Sequence, residues 1–189
     1  MDTLAHAVYG ATLCSRSGLA GGRRGPPAGR GGVFDWTVWA AAGFGALPDL
    51  ASIGIHFAHA LIRGEPPSFH GMPPYVFVLY RYTHSLLLAA FCVLVLRLTA
   101  RPLVMPALAW PLHVITDSVL HDAGRWQTPL FFPLFDWRIE GINWWQHPRV
   151  VLIYWCLLPA LWLAIYLWRR RAGAEQMIIG GGGRPPSRG

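Results

Sequence analysis

Val150 to Trp168 reads VVLIYWCLLPALWLAIYLW and runs straight into Arg169, Arg170 and Arg171. An uncharged stretch of this length matches the hydrocarbon thickness of a bilayer, and the three cations that close it are what holds a helix end at the headgroups. A membrane-spanning helix is the reading that decides the fold. The whole composition agrees: of 189 residues, 53% are hydrophobic and only 13% charged, too little polar surface for a water-soluble domain of this size. All 16 basic residues are arginine, against nine carboxylates, and the net charge of +7 would suit nucleic acid or an anionic membrane surface. Ten tryptophans favour the membrane, so no nucleic-acid partner is expected. Cys14, Cys92 and Cys156 are odd in number, far apart and set in apolar runs, which supports neither a disulfide framework nor a cysteine zinc site.

Outward from 150–168, breakers divide the chain into apolar segments at about 3–18, 33–47, 49–62, 75–99 and 102–120. The segment 75–99 is long enough to span but carries Arg81 and His84 in its first half, which should face a bundle interior. Pro48-Asp49 reads as a helix break. The expectation is an all-α, polytopic membrane bundle of about four to six helices forming one domain over 1–171. The Arg/Gly/Pro-rich stretch 16–32 is expected to be a flexible loop, and 172–189 a disordered tail. Asp2 and His6 precede the first apolar run, so no secretory signal is read there.

Arginine placement gives an orientation. Arg16, Arg23, Arg24, Arg30, Arg97, Arg101, Arg169, Arg170, Arg171, Arg184 and Arg188 fall into connections that belong on one side, the cytoplasmic one. The C-terminus is then cytoplasmic. The other five arginines and seven of the nine carboxylates fall on the opposite side.

With helices alternating in direction, His6, Asp49, His84, His113 and Asp117 come to one level, toward the non-cytoplasmic face. His113 and Asp117, in HVITD, stand one helical turn apart on one face, a spacing that lets imidazole and carboxylate grip one divalent ion. A simple hydrogen-bonded pair is the alternative. Burying all five groups without metal or mutual pairing would cost several kcal/mol per charged group. A Zn²⁺ or Mn²⁺ ion would neutralise the carboxylates and satisfy the imidazoles.

MDTLAHA at the start, LPDL at 47–50, YTHSLLL at 82–88, HVITD at 113–117 and TPLFFPLFDWR at 128–138 together resemble the bacterial LexA-regulated, membrane-bound metal-dependent hydrolases of the inner membrane. The resemblance covers roughly 1–168. It implies a helical membrane protein with its functional positions on His6, Asp49, His84, His113 and Asp117. It also implies a distant similarity to the helical fold of zinc-dependent phospholipase C and P1 nuclease, in which clustered zinc ions cleave phosphate esters. The chain departs from the family pattern after Pro48-Asp49, where Leu50-Ala51-Ser52 lacks a further acid, and at Leu79, where a histidine is usual. The remaining set would serve one zinc ion fully or two thinly.

Other polar residues carry two readings each. His56 and His59 could supply missing ligands or be structural, while His70 and His147 lie in proline-flanked loops. His121 and Asp122 continue the face of His113 and Asp117 and could touch a second metal or orient a ligand. Arg81, three residues before His84, is placed to hold a phosphate or to pair with a carboxylate. Thr83 and Ser85 lack a catalytic base and suit hydrogen bonding. Trp126, Phe131, Phe132, Phe135, Trp137, Trp144 and Trp145 crowd the 125–147 connection as an interfacial belt or a substrate lid.

The leading functional expectation is a metal-dependent hydrolase of a lipid phosphoester or other lipid ester, with Asp49 or Asp117 as general base and Arg81 on the phosphate. The alternative is a non-catalytic metal site, structural or in a small transporter. No Walker loop, Gly-x-Ser-x-Gly elbow or dinucleotide fingerprint is present.

Overall fold

The computed structural model describes residues 1–24 and 35–180, and the protein is an all-α helical bundle with one small two-stranded ribbon. Helix α1 (Thr3–Cys14) begins at Asp2, whose carboxylate accepts from the Ala5 amide at 2.8 Å. Helix α2 (Trp36–Asp49) is capped in the same way by Asp35 on the Thr37 amide. The expected break at Pro48-Asp49 does not occur. One π-helical turn, Leu50–Gly54, carries α2 into α3 (Ile55–Ile62), and Trp36–Ile62 is a single apolar run of 27 residues. Proline removes one amide from the helical ladder, and the wider turn beside it absorbs the mismatch that would otherwise end the helix. Ser52 Oγ donates to the Pro48 carbonyl at 2.7 Å and ties the turn down.

The segment expected as one helix over 75–99 is two, α4 (Pro74–Thr83) and α5 (Leu86–Thr99), bent by 56° at His84 and Ser85. Ser85 caps α5 on the Leu87 amide and also donates to the Phe132 carbonyl at 2.6 Å. A 3₁₀ turn leads through α6 (Val104–Ala107) into α7 (Ala109–Leu120). Then come β1 (Pro129–Phe131), antiparallel to β2 (Phe135–Arg138), and the long α8 (Pro148–Gly180). Among the described residues, Trp36–Ile62, Arg101–Leu120 and Pro148–Arg171 are long and apolar enough to cross a membrane, and α4 with α5 makes a fourth if the bent pair is one span.

Small residues let the ligand-bearing helices approach closely. A Cβ on Gly10 would lie 2.6 Å from the Ala41 carbonyl oxygen and 2.9 Å from the Ala109 side chain, and one on Gly45 would lie 2.5 Å from the His6 carbonyl oxygen. Helix α1, at 12 residues, is too short to span a bilayer alone and instead packs on α2 and α7. The outer faces of α5 and α8 expose Phe91, Leu94, Leu98, Leu152, Leu157 and Leu163, the side chains that lipid would cover.

Two expectations about mobile segments change. Residues 16–22 are not a free loop: Arg169 donates to the carbonyls of Ser17 (2.7 Å), Arg16 (2.9 Å), Gly22 (3.2 Å) and Gly18. The rest of that stretch, from 25 on, lies outside the described residues. Residues 172–180, expected as part of a disordered tail, continue α8 to Gly180, and 181–189 lie outside the described residues. Thr128 to Arg138 was expected only as connection and forms the ribbon, since alternating apolar residues on either side of Pro133 can pair across a tight turn.

Candidate metal centre

Asp49 stands where α2 enters the π-helical turn, His84 at the bend between α4 and α5, and His113 and Asp117 one turn apart on α7. All four are buried, with His84 fully so. One donor atom from each lies within 4.8 Å of all the others. The two imidazole Nε2 atoms are 3.1 Å apart. His84 Nε2 is 3.4 Å from Asp49 Oδ1 and 3.6 Å from Asp117 Oδ2. His113 Nε2 is 3.7 Å from Asp49 Oδ1 and 3.3 Å from Asp117 Oδ2.

The outward-facing atoms of the same side chains determine what faces inward. His113 Nδ1 lies 2.6 Å from the Gly45 carbonyl oxygen and His84 Nδ1 lies 3.1 Å from that of Tyr80. A carbonyl can only accept, so each Nδ1 carries the hydrogen, and in the neutral imidazole each Nε2 then presents a lone pair to the centre. Asp49 Oδ2 accepts from Thr3 Oγ1 at 2.6 Å, leaving Oδ1 inward. Asp117 Oδ1 accepts from His6 Nε2 at 2.7 Å and from the Met1 amine at 2.6 Å, leaving Oδ2 inward. Four acceptors therefore converge on one point with no donor among them. Buried acceptors packed in this way repel unless a cation lies between them.

The spacing fits such a cation. Zinc bonds to nitrogen and oxygen at about 2.0–2.2 Å, so tetrahedral ligand atoms stand about 3.3–3.6 Å apart. Five of the six separations, 3.1 to 3.7 Å, bracket that range, and the sixth, between the two carboxylates, is within 4.8 Å. Two neutral imidazoles and two carboxylates give a divalent ion a neutral shell. The buried cluster could hold one metal ion.

Not every expected residue joins it. His6 stacks on the His113 ring, centroids 3.6 Å apart, and bonds the outer oxygen of Asp117; it holds a ligand in place rather than joining the four-atom set. Arg81 was expected to face the cavity beside His84 and does not. The Arg81 guanidinium instead takes the carboxylate pairing that was its other reading, 3.4 Å from Asp136, and sits 4.3 Å from the centre of the Phe132 ring. Arg138 forks onto the same carboxylate and holds its pKa below the usual range. His56, His59, His70 and His147 stand apart from the cluster, and Asp122 accepts from Asn143 at 3.0 Å. Thr83 Oγ1 lies 3.1 Å from His84 Nδ1, in the hydrogen-bonding role its context suggested.

A cavity of about 650 Å³ opens against Asp49 and Asp117. His121 lies in its wall, with Nδ1 3.6 Å from Asp117 Oδ2 and 3.5 Å from the Tyr80 hydroxyl. The 125–147 connection divides in two. Trp126, Trp144 and Trp145 line the cavity, whereas Leu134, Phe135 and Trp137 are exposed at the ribbon. Tyr80 was missed by sequence reasoning: it stacks on His84, centroids 3.8 Å apart, and donates to the Trp126 carbonyl at 2.6 Å. Its position one helical turn before His84 was the available signal. Gly45, one turn before Asp49, was legible in the same way. Thr3 was not, because its bond to Asp49 crosses between helices.

Comparison with family models, with curated proteins and with solved structures gave no match.

Proposed function

We propose that the chain is a membrane-bound hydrolase that uses one divalent metal ion, zinc first and manganese second, held by Asp49, His84, His113 and Asp117. The observation that carries this reading is the acceptor-only tetrad beside a cavity large enough for a small-molecule substrate. A metal at that point supplies a Lewis acid and lowers the pKa of water. The chain's own groups divide the remaining work. His6 and Thr3 fix the carboxylates from outside, the Gly45 and Tyr80 carbonyls fix the imidazoles, and the aromatic wall excludes bulk water. Asp49 is the more accessible carboxylate, its side chain 11% exposed against 1% for Asp117, and with Oδ1 on the metal its Oδ2, on releasing Thr3, would be the atom to accept a proton from water entering through the cavity. The resemblance to the LexA-regulated inner-membrane hydrolases points to the same metal-dependent hydrolysis, and the depth of the ligands, near the headgroups, suits a lipid phosphoester or other lipid ester.

A closed set of four protein ligands is also the pattern of a structural metal site, and that is the second reading. Catalysis needs the shell to open on the cavity side or expand to five ligands. Chelation separates the two. For a hydrolase, ester or phosphoester cleavage stops with chelator and returns with Zn²⁺ or Mn²⁺. For a structural site, chelation lowers thermal stability and no substrate turns over at any metal load.

The placement goes with an inner membrane, C-terminus in the cytoplasm and the cavity toward the other face. Arg169 meeting residues 16–22 supports this, since it joins two of the arginine-rich connections at one end of the bundle. A reporter active only in the cytoplasm should work when fused after Arg171 and fail when fused between 125 and 147; the reverse pattern would invert the orientation.

A further inference from the structure

The cavity wall distinguishes between substrates that the hydrolase reading leaves together. Asp2, Asp49 and Asp117 line it and no arginine side chain does, among the described residues. Arg81, the cation that sequence reasoning assigned to a phosphate, is spent on Asp136 at the ribbon. The Met1 amine reaches the wall but is already bonded to Asp117. Two carboxylates neutralise a divalent ion, so an arriving phosphate would bring uncompensated negative charge to a buried site. Sites that transfer phosphoryl groups answer that charge with arginine, lysine or further metals.

The rest of the wall is apolar: Leu50, Ile53, Phe57, Phe69, Trp126 and Trp145. Trp144 also lines it with its ring, its indole N–H being buried away from the open space. An uncharged, largely apolar ligand answers both the missing cation and the apolar wall.

We infer, resting on the hydrolase reading, that the substrate is an uncharged long-chain carboxylic ester, its acyl chain against the apolar wall. In the step, a water oxygen bonds to the carbonyl carbon and the bond to the alcohol oxygen breaks. One water proton ends on the leaving alcohol and the other is released with the carboxylate product. No oxidant or co-reactant is required.

The test uses the full chain, zinc-loaded in mild detergent, with p-nitrophenyl palmitate, p-nitrophenyl acetate and bis(p-nitrophenyl) phosphate. Expected are metal-dependent cleavage of the palmitate in preference to the acetate and no cleavage of the phosphodiester. Ile53→Phe, which narrows the cavity, should raise KM for the palmitate about five-fold with metal content unchanged. Should that variant fold poorly, Phe57→Ala, which removes part of the apolar wall, should lower the palmitate-to-acetate preference. Cleavage of the phosphodiester alone would overturn this inference and leave the hydrolase reading standing. Cleavage of none of the three would overturn both, and palmitate cleavage unaffected by either variant would remove the cavity from substrate binding.

Discussion

Asp117 and Asp136 each gather several nitrogen neighbours, yet their surroundings differ in every respect that matters. Asp117 is 1% exposed and shared by His6, His113, His84 and the Met1 amine; Asp136 is 53% exposed and shared by Arg81 and Arg138. Solvent is poorly placed to replace a lost partner of the 1% exposed Asp117, so each of its contacts weighs heavily. At the ribbon, water competes for each bond and the ion pairs contribute little. The interior is where a change should be felt, and the ribbon is where it should not.

The sharpest way to break that contrast is at the ligands. His84→Ala or Asp117→Ala should lower metal affinity at least about 100-fold, because losing a ligand exceeds the roughly 10–100-fold cost of losing a partner that only orients one. Competition with a fluorescent chelator measures it, and an equal loss for His70→Ala would mean nonspecific binding. Next comes the helix contact: Gly45→Ala places a methyl 2.5 Å from the His6 carbonyl oxygen, and should cost about 1–3 kcal/mol in detergent unfolding while displacing the acceptor of His113. Thr3→Val removes only the outer bond to Asp49 and should weaken metal binding about 10-fold with little change in unfolding. The smallest effect belongs to the ribbon. Arg81→Ala should leave metal content unchanged and cost no more than about 1 kcal/mol, mostly the loss of its contact with Phe132. What the Asp136 pairs contribute is present above the ordinary carboxylate pKa and lost as pH falls through the lowered one.

The same contrast explains what could be read from the sequence. The spanning helix at 150–168, the pairing of His113 with Asp117 and the convergence of His84 and Asp49 follow from hydropathy, the helical period and alternation of direction, which are local or nearly so. Two helix boundaries were misread for opposite reasons. Pro48 looked like a stop, but a π-helical turn carried the chain through it. His84-Ser85 looked like the middle of a helix, although Ser85 followed by an apolar run is a cap signal. His6 and Thr3 both touch the cluster through contacts between helices, and sequence spacing holds no record of which oxygen of a carboxylate each will take.

The central claim is that four buried acceptors enclose one cation. Elemental analysis of the protein purified in mild detergent, with a matched His84→Ala, His113→Ala double variant, tests it most directly. About one divalent ion per chain in the wild-type protein and none above background in the variant is the expected result. No bound metal in either, with unfolding temperature indifferent to chelator, would contradict it and leave the imidazoles and carboxylates to share protons instead.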